Sequence, residues 1–161
     1  MTEEAFTRRV MAMRDQLWHV GRAMLWNDED AADAVQDAML QAWKKRRSLR
    51  DEDKFEAWFM RLFINRCRDM QRGQIRRREA VESAALWPEE ATDMGAGEAQ
   101  EALAALPDTL RLPAVLFYVE GYSQKETARI LGVSQEQVNT RLRQARRRMK
   151  RMLAEGGYFD E

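Results

Sequence analysis

Between positions 141 and 151 the chain carries seven basic side chains (Arg141, Arg143, Arg146, Arg147, Arg148, Lys150 and Arg151) and no acidic one, although its formal net charge is +0. Cationic groups at this density suit a polyanion, because each phosphate they neutralise releases a condensed counterion. Asn139 and Thr140 precede all of them and Gln144 lies among them. Amide side chains match adenine edges and arginine matches guanine, so readers and phosphate grippers for duplex DNA occur together here. A solvated, arginine-rich helix on an ordinary bundle would carry the same charge. The elements that position these residues must decide between the two.

Other chemistry is poorly served. There is one histidine, His19, and one cysteine, Cys67. A cysteine-based zinc site and an intramolecular disulfide are therefore excluded, and no set of nucleophile, base and orienting group can be assembled. We expect no catalytic residue, no metal and no cofactor. With 161 residues, 45% hydrophobic and 34% charged, the chain has the composition of a folded protein of one domain or two small ones. The N-terminus is acidic before it is apolar, and no run approaches the roughly 18 apolar residues of a membrane span. No membrane insertion and a cytoplasmic location are expected.

Three prolines, eight glycines and an abundance of Ala, Leu, Met, Arg, Glu and Gln predict an all-α fold. Charge is segregated along the chain. Residues 28–37 hold five acids and no base, residues 44–50 five bases and no acid, and residues 79–101 seven acids and no base. The last stretch also contains Trp87-Pro88 and Gly95-Ala96-Gly97, which break helical periodicity and mark a linker. Two small helical domains follow, at 1–75 and 103–161, joined by an acidic linker at 76–102. In the first, helices are expected over 6–26, 30–45 and 54–71. The second has Val35, Ala38, Met39, Ala42 and Trp43 on one stripe. The third has Phe55, Trp58, Phe59, Leu62 and Phe63 on an apolar face, with Arg61, Asn65, Arg68 and Arg72 alongside.

In the second domain a helix is expected over 113–120, closed by Gly121. Ser123 with Glu126, and Ser134 with Gln137, have capping-box spacing and predict helices over 124–131 and 135–153. Small Ala128, Gly132 in the intervening corner, and Ile130, Leu131, Val133, Val138 and Leu142 as apolar plugs make these two a helix-turn-helix. Val138, Leu142, Ala145 and Met149 define its buried stripe. Glu136, Asn139, Thr140, Arg143 and Arg147 then face outward.

On these residues the chain resembles a known family. "LPDTLRLPAVLFYVEGYSQKETARILGVSQEQVNTRLRQARRRMK" is similar to the promoter-binding C-terminal domain of bacterial extracytoplasmic-function (ECF) sigma factors. "DAADAVQDAMLQAW" followed by "KFEAWFMRLFINRCRD" is similar to their N-terminal domain. The resemblance covers about residues 6–72 and 103–153. It implies a subunit that binds core RNA polymerase, through the β′ clamp helices and the β flap, and directs initiation at promoters with −10 and −35 elements.

By that resemblance, Asp33, Gln36, Asp37 and Gln41 dock on the clamp helices. The loop with Arg47, Ser48, Leu49 and Arg50 captures a flipped −10 base, beside Arg61, Asn65 and Arg68. Asn139, Thr140, Arg143 and Gln144 read the −35 element, and Arg141, Arg146 and Arg147 hold phosphates. It also implies an anti-sigma partner and a linker that threads toward the RNA exit path, where residues 79–101 would mimic RNA or act as a solvated spacer. Two features depart from the family pattern: neutral Asn139 stands where a basic residue is frequent, and the loop has Asp51, Glu52 and Asp53 and no aromatic. Phe55 and Trp43 are expected in the core rather than at a base pocket. Two alternatives remain at this level, a stand-alone helix-turn-helix regulator and a sigma-like decoy for an anti-sigma factor.

Overall fold

The computed structural model describes residues 1–25, 27–81 and 98–155, the side chains of 74–81 and 155 excepted. Regular structure among these residues is entirely helical. The chain divides into two compact units, Met1–Ala91 and Thr92–Glu161.

The first unit comprises α1 (Glu3–Ala12), α2 (Arg14–Met24), α3 (Asp28–Lys44), two single 3₁₀ turns (Arg46–Ser48 and Glu52–Lys54) and α4 (Phe55–Val81). Where one helix is expected over 6–26, the structure has two. The Met13 N–H bonds the Val10 carbonyl at 2.9 Å, three residues back, and this tightened turn breaks the ladder while burying the Met13 side chain. Trp26 lies outside the described residues. The start of α3 is set by Asn27, whose Oδ1 accepts from the Asp30 N–H at 2.7 Å. Asp28, Glu29 and Asp30 then suit the positive end of the helix dipole.

The stripe that α3 buries is Ala31, Ala34, Ala38 and Ala42, whereas Val35, Met39 and Trp43 are half-buried. Small side chains there let α4 approach closely. Gly21 does the same for α2: a Cβ at this position would lie 3.2 Å from the Phe63 ring and 3.3 Å from Ala31 Cβ. From α4 the core receives Phe55, Phe59, Met60, Phe63, Ile64 and Cys67, all fully buried; Trp58 and Leu62 are only half-buried. Phe6 meets Trp43 (centroids 5.2 Å apart) and Phe55 (5.7 Å) edge to face. Such contacts add about 0.5–1.5 kcal/mol each beyond area burial. They tie α1, α3 and α4 together at the 46–54 loop.

The second unit comprises α5 (Glu98–Ala104), α6 (Asp108–Ala114), a π-helical segment (Val115–Val119), α7 (Gln124–Leu131) and α8 (Gln135–Glu155). The helix expected over 113–120 instead begins at Asp108, with Pro113 inside it. Proline contributes no N–H to the ladder. Beyond it the chain adopts wider spacing, and the Glu120 N–H bonds the Val115 carbonyl, five residues back, at 3.0 Å. Helices reach into both ends of the segment read as a linker: α4 runs to Val81, and α5, with Ala102 and Leu103 buried, packs on α8. Trp87-Pro88, Gly95-Ala96-Gly97 and most of the acidic stretch lie outside the described residues.

Candidate nucleic-acid interface

In the second unit, two reciprocal caps and one left-handed residue position the basic helix. Ser123 Oγ accepts from the Glu126 N–H while Glu126 Oε1 accepts from the Ser123 N–H, each at 3.0 Å. Ser134 and Gln137 repeat the arrangement at 3.1 Å. Gly132 closes α7 at φ 70° and ψ 34°, a conformation open to glycine and strained for other residues. The Val133 N–H then returns to the Ala128 carbonyl at 3.0 Å, completing the corner.

Ala128, Ile130, Leu131, Val138, Leu142 and Ala145 are buried, and Val133 packs against them. Burying Val138 and Leu142 is worth about 1.5–3 kcal/mol apiece, which fixes the rotation of α8 about its axis. Asn139, Thr140, Arg143, Gln144, Arg146 and Arg147 are consequently exposed, and Arg141 is half-buried. The structure therefore brings the sequence-predicted −35 set onto the outer side of one helix.

In the first unit, the 46–54 loop and the start of α4 enclose a cavity of about 370 Å³. This is at the small end of the range for ligand cavities. Arg46, Arg47, Leu49 and Glu52 line it from the loop, with Phe55 and Trp58 from α4. Of the predicted −10 residues, Arg47 and Leu49 thus reach the cavity. Ser48 Oγ donates to the Lys45 carbonyl at 2.6 Å, and Arg50 is exposed outside the lining. Phe55 serves both core and cavity wall. Trp43 lies instead beneath the Arg46 guanidinium, which is 3.9 Å from its ring centroid and donates through Nη1 to the Trp43 carbonyl at 2.7 Å.

From Trp58 the helix continues through Arg61, Asn65 and Arg68 at steps of three, four and three, a path of about 15 Å along α4. Arg61 and Asn65 are exposed, and Arg68 is half-buried. The polar stripe begins about one turn beyond Trp58, which lines the cavity. The sequence pattern assigns Trp58 to the core and includes Arg46 in the 46–54 loop without naming it among the −10 residues. The usable signal was their spacing, Arg46 three residues after Trp43 and Trp58 three residues after Phe55.

On α3, Asp33, Gln36 and Gln41 are exposed, whereas Asp37 is half-buried and paired with Arg66, Nε to Oδ2, at 2.8 Å. Leu40 stands among them 63% exposed. It lies off the alanine stripe, and a lone exposed leucine is common. Its company of polar docking candidates is what gives it interest.

Burial pushes the Cys67 thiol up to about 12, against a smaller opposing influence from Arg66. Burial also lowers the Arg111 guanidinium from its ordinary value, with Asp108 opposing. No helix among the described residues is long and apolar enough to cross a membrane.

A helix-turn-helix unit and a second helical unit with a loop cavity correspond to the two domains of a sigma-70 type initiation factor. Residues 9–78 match the family model for Sigma-70 region 2, and residues 96–149 match that for Sigma-70, region 4. The ECF RNA polymerase sigma factor SigM of Mycobacterium tuberculosis is 35% identical over 97% of this chain and 79% of its own length. RNA polymerase sigma factor CnrH of Cupriavidus metallidurans is 26% identical over 94% of this chain and 87% of its own.

Among solved structures, CnrH in complex with the cytosolic domain of CnrY superposes with a TM-score of 0.70 at 27% identity, over 96% of this chain and 90% of that one. The sigma factor RpoE of Bartonella quintana, in complex with the anti-sigma factor NepR, shares the fold with a TM-score of 0.76 at 22% identity, over 94% and 98%. The chain belongs to the ECF RNA polymerase sigma factors. It binds core RNA polymerase and directs promoter-specific initiation at −10 and −35 elements.

Proposed function

We propose that promoter recognition is divided between the two units, with region 2 near 1–75, a linker near 76–102 and region 4 near 103–161. Asn139, Thr140, Arg143 and Gln144 read the −35 duplex, while Arg141, Arg146 and Arg147 grip its phosphates. The 46–54 loop captures an unstacked −10 base, and Arg61, Asn65 and Arg68 track the adjoining strand. Asp33, Gln36, Asp37, Leu40 and Gln41 dock on the β′ clamp helices, and the second unit meets the β flap. Nucleotidyl transfer belongs to the polymerase, so this subunit needs no catalytic group or cofactor. Its place of work is the cytoplasm.

The observation that carries this reading is the orientation of α8, with Val138, Leu142 and Ala145 inward and Asn139 and Arg143 outward. A few phosphate contacts per unit give weak, salt-sensitive binding, but tethering both units to polymerase raises their effective concentrations at the promoter. Similarity to CnrH, solved with the cytosolic domain of CnrY, supports a protein antagonist that holds both units and hides these surfaces. In vitro transcription tests the proposal. Promoter-specific transcripts that require both this protein and core polymerase are expected. Specific DNA shifts without core would indicate a stand-alone regulator, and absence of core binding a decoy.

A further inference from the structure

The bases of residues 44–50, Lys44, Lys45, Arg46, Arg47 and Arg50, read in sequence as one patch for gripping phosphate. The structure separates one of them from the rest. Arg46 is half-buried, whereas Lys44, Lys45, Arg47 and Arg50 are exposed. Its guanidinium carbon stands 3.9 Å from the Trp43 ring centroid, and its Nη1 donates to the Trp43 carbonyl at 2.7 Å. Trp43 is in turn met edge to face by Phe6, which is buried in the core of the first unit.

That carbonyl belongs to the last turn of α3, where backbone acceptors run out of helical partners and the dipole is negative. A cation there answers both. It also fixes where the loop begins. The 3₁₀ turn Arg46–Ser48 starts at this residue, with the Ser48 N–H bonding the Lys45 carbonyl at 2.8 Å and the Leu49 N–H the Arg46 carbonyl at 3.2 Å. At the far end, the Asp53 N–H donates to Asp51 Oδ1 and the Lys54 N–H to the Asp51 carbonyl, each at 3.0 Å. Local bonds shape both ends, and Arg46 ties the first of them to an aromatic ring of α3.

We propose that Arg46 is a positioning residue for the −10 strand: stacked on Trp43, it locks the first turn of the 46–54 loop against α3 and does not hold phosphate. The proposal rests on the base-capture reading of the loop and adds what keeps the loop in place. A loop ordered beforehand loses less conformational entropy on binding. Planarity is the reason for arginine, since a guanidinium presents its face to the ring while an edge N–H meets the carbonyl. A lysine ammonium is a point charge on a flexible stem. Lysine would serve a phosphate contact at this position but fail as a clamp.

The test titrates holoenzyme, assembled from the full chain and core polymerase, with promoter fragments premelted across the −10 region at several salt concentrations. Arg46→Lys and Arg46→Ala should both bind these fragments about tenfold more weakly than wild type. The slope of log affinity against log salt and the affinity for core should stay unchanged. In the free protein, amide hydrogen exchange should quicken at Ser48 and Leu49 while α4 keeps its protection. Rescue by Arg46→Lys of a defect seen in Arg46→Ala, or a slope lowered by about 0.7 in Arg46→Ala, would reveal a phosphate contact and overturn the positioning role. A matching loss of core affinity would make Arg46 a general support of the first unit, which overturns it too. Wild-type affinity in both variants also overturns it and leaves base capture standing. Base capture itself fails if wild-type holoenzyme binds a premelted strand with abasic −10 positions as tightly as the intact one.

Discussion

Arg66 on α4 donates through Nε to Oδ2 of Asp37 on α3 at 2.8 Å, across the helix pair that the alanine stripe brings together. Both side chains are partly exposed, 38% and 45%, so the pair contributes no more than about 1 kcal/mol to stability. Its effect is to hold the Asp37 carboxylate at the edge of a surface that also contains exposed Leu40. Asp37→Asn should leave the melting temperature nearly unchanged, whereas Asp37→Arg should weaken core polymerase binding.

Leu40 separates docking from folding more cleanly, because it is 63% exposed. Leu40→Arg should leave the thermal transition in place while core affinity falls about tenfold, the loss expected for an apolar anchor at an interface. Fluorescence competition for core measures it. Wild-type affinity in Leu40→Arg would mean that the polymerase contacts a different face.

Gly132, at φ 70°, carries the corner between α7 and α8. Gly132→Val should cost about 1–2 kcal/mol from the left-handed backbone alone. Ser134→Ala removes the cap ahead of the recognition helix and should cost about 0.5–2 kcal/mol. Both should impair −35-dependent transcription more than core binding, since this corner belongs to the second unit and the α3 docking face to the first. Thermal denaturation and transcription on promoters with altered −35 elements check the two expectations.

The Cys67 thiol, fully buried and raised from an ordinary value of 9.0 to about 12, should resist thiol reagents at pH 8 in native protein and react at the unfolding rate. Its folded pKa lies above its unfolded one. The stabilising contribution is therefore complete below about pH 9 and is lost as the pH rises toward 12. Labelling kinetics across that range measure both effects.

What the sequence made legible follows from how local each determinant is. Capping pairs such as Ser123 with Glu126 act over three residues, and the Val138, Leu142 stripe repeats within one helix, so the helix-turn-helix and its outward face can be read directly. Nothing local distinguishes Met13 from any other apolar helix residue; the break there follows from packing into the core. Pro113 signals an early turn, yet the surrounding helix accommodates it and absorbs the lost bond in a π segment. Trp58 has core spacing along α4, and only the loop folded over it turns it into a cavity wall. Leu40 sits among polar residues whose shared face becomes apparent once the alanines are seen to point inward.

The outer face of α8 allows reading and gripping to be distinguished by experiment. Arg143 is one residue beyond buried Leu142 and four beyond exposed Asn139, so it belongs to the N-terminal part of the helix that enters a major groove. Arg147 is exposed a further turn along, where a recognition helix leaves the bases and runs beside the backbone. A base contact has a partner that changes with sequence; a phosphate contact does not. Arg143→Ala should therefore weaken transcription by about 1–3 kcal/mol on the preferred −35 sequence and relax discrimination at one base pair. Arg147→Ala should weaken all −35 variants alike and lower the slope of log affinity against log salt by about 1. Measuring holoenzyme affinity for a panel of −35 variants at several salt concentrations separates the two. Identical behaviour of both mutants across that panel would mean that Arg143 also holds only phosphate, leaving sequence recognition to Asn139, Thr140 and Gln144.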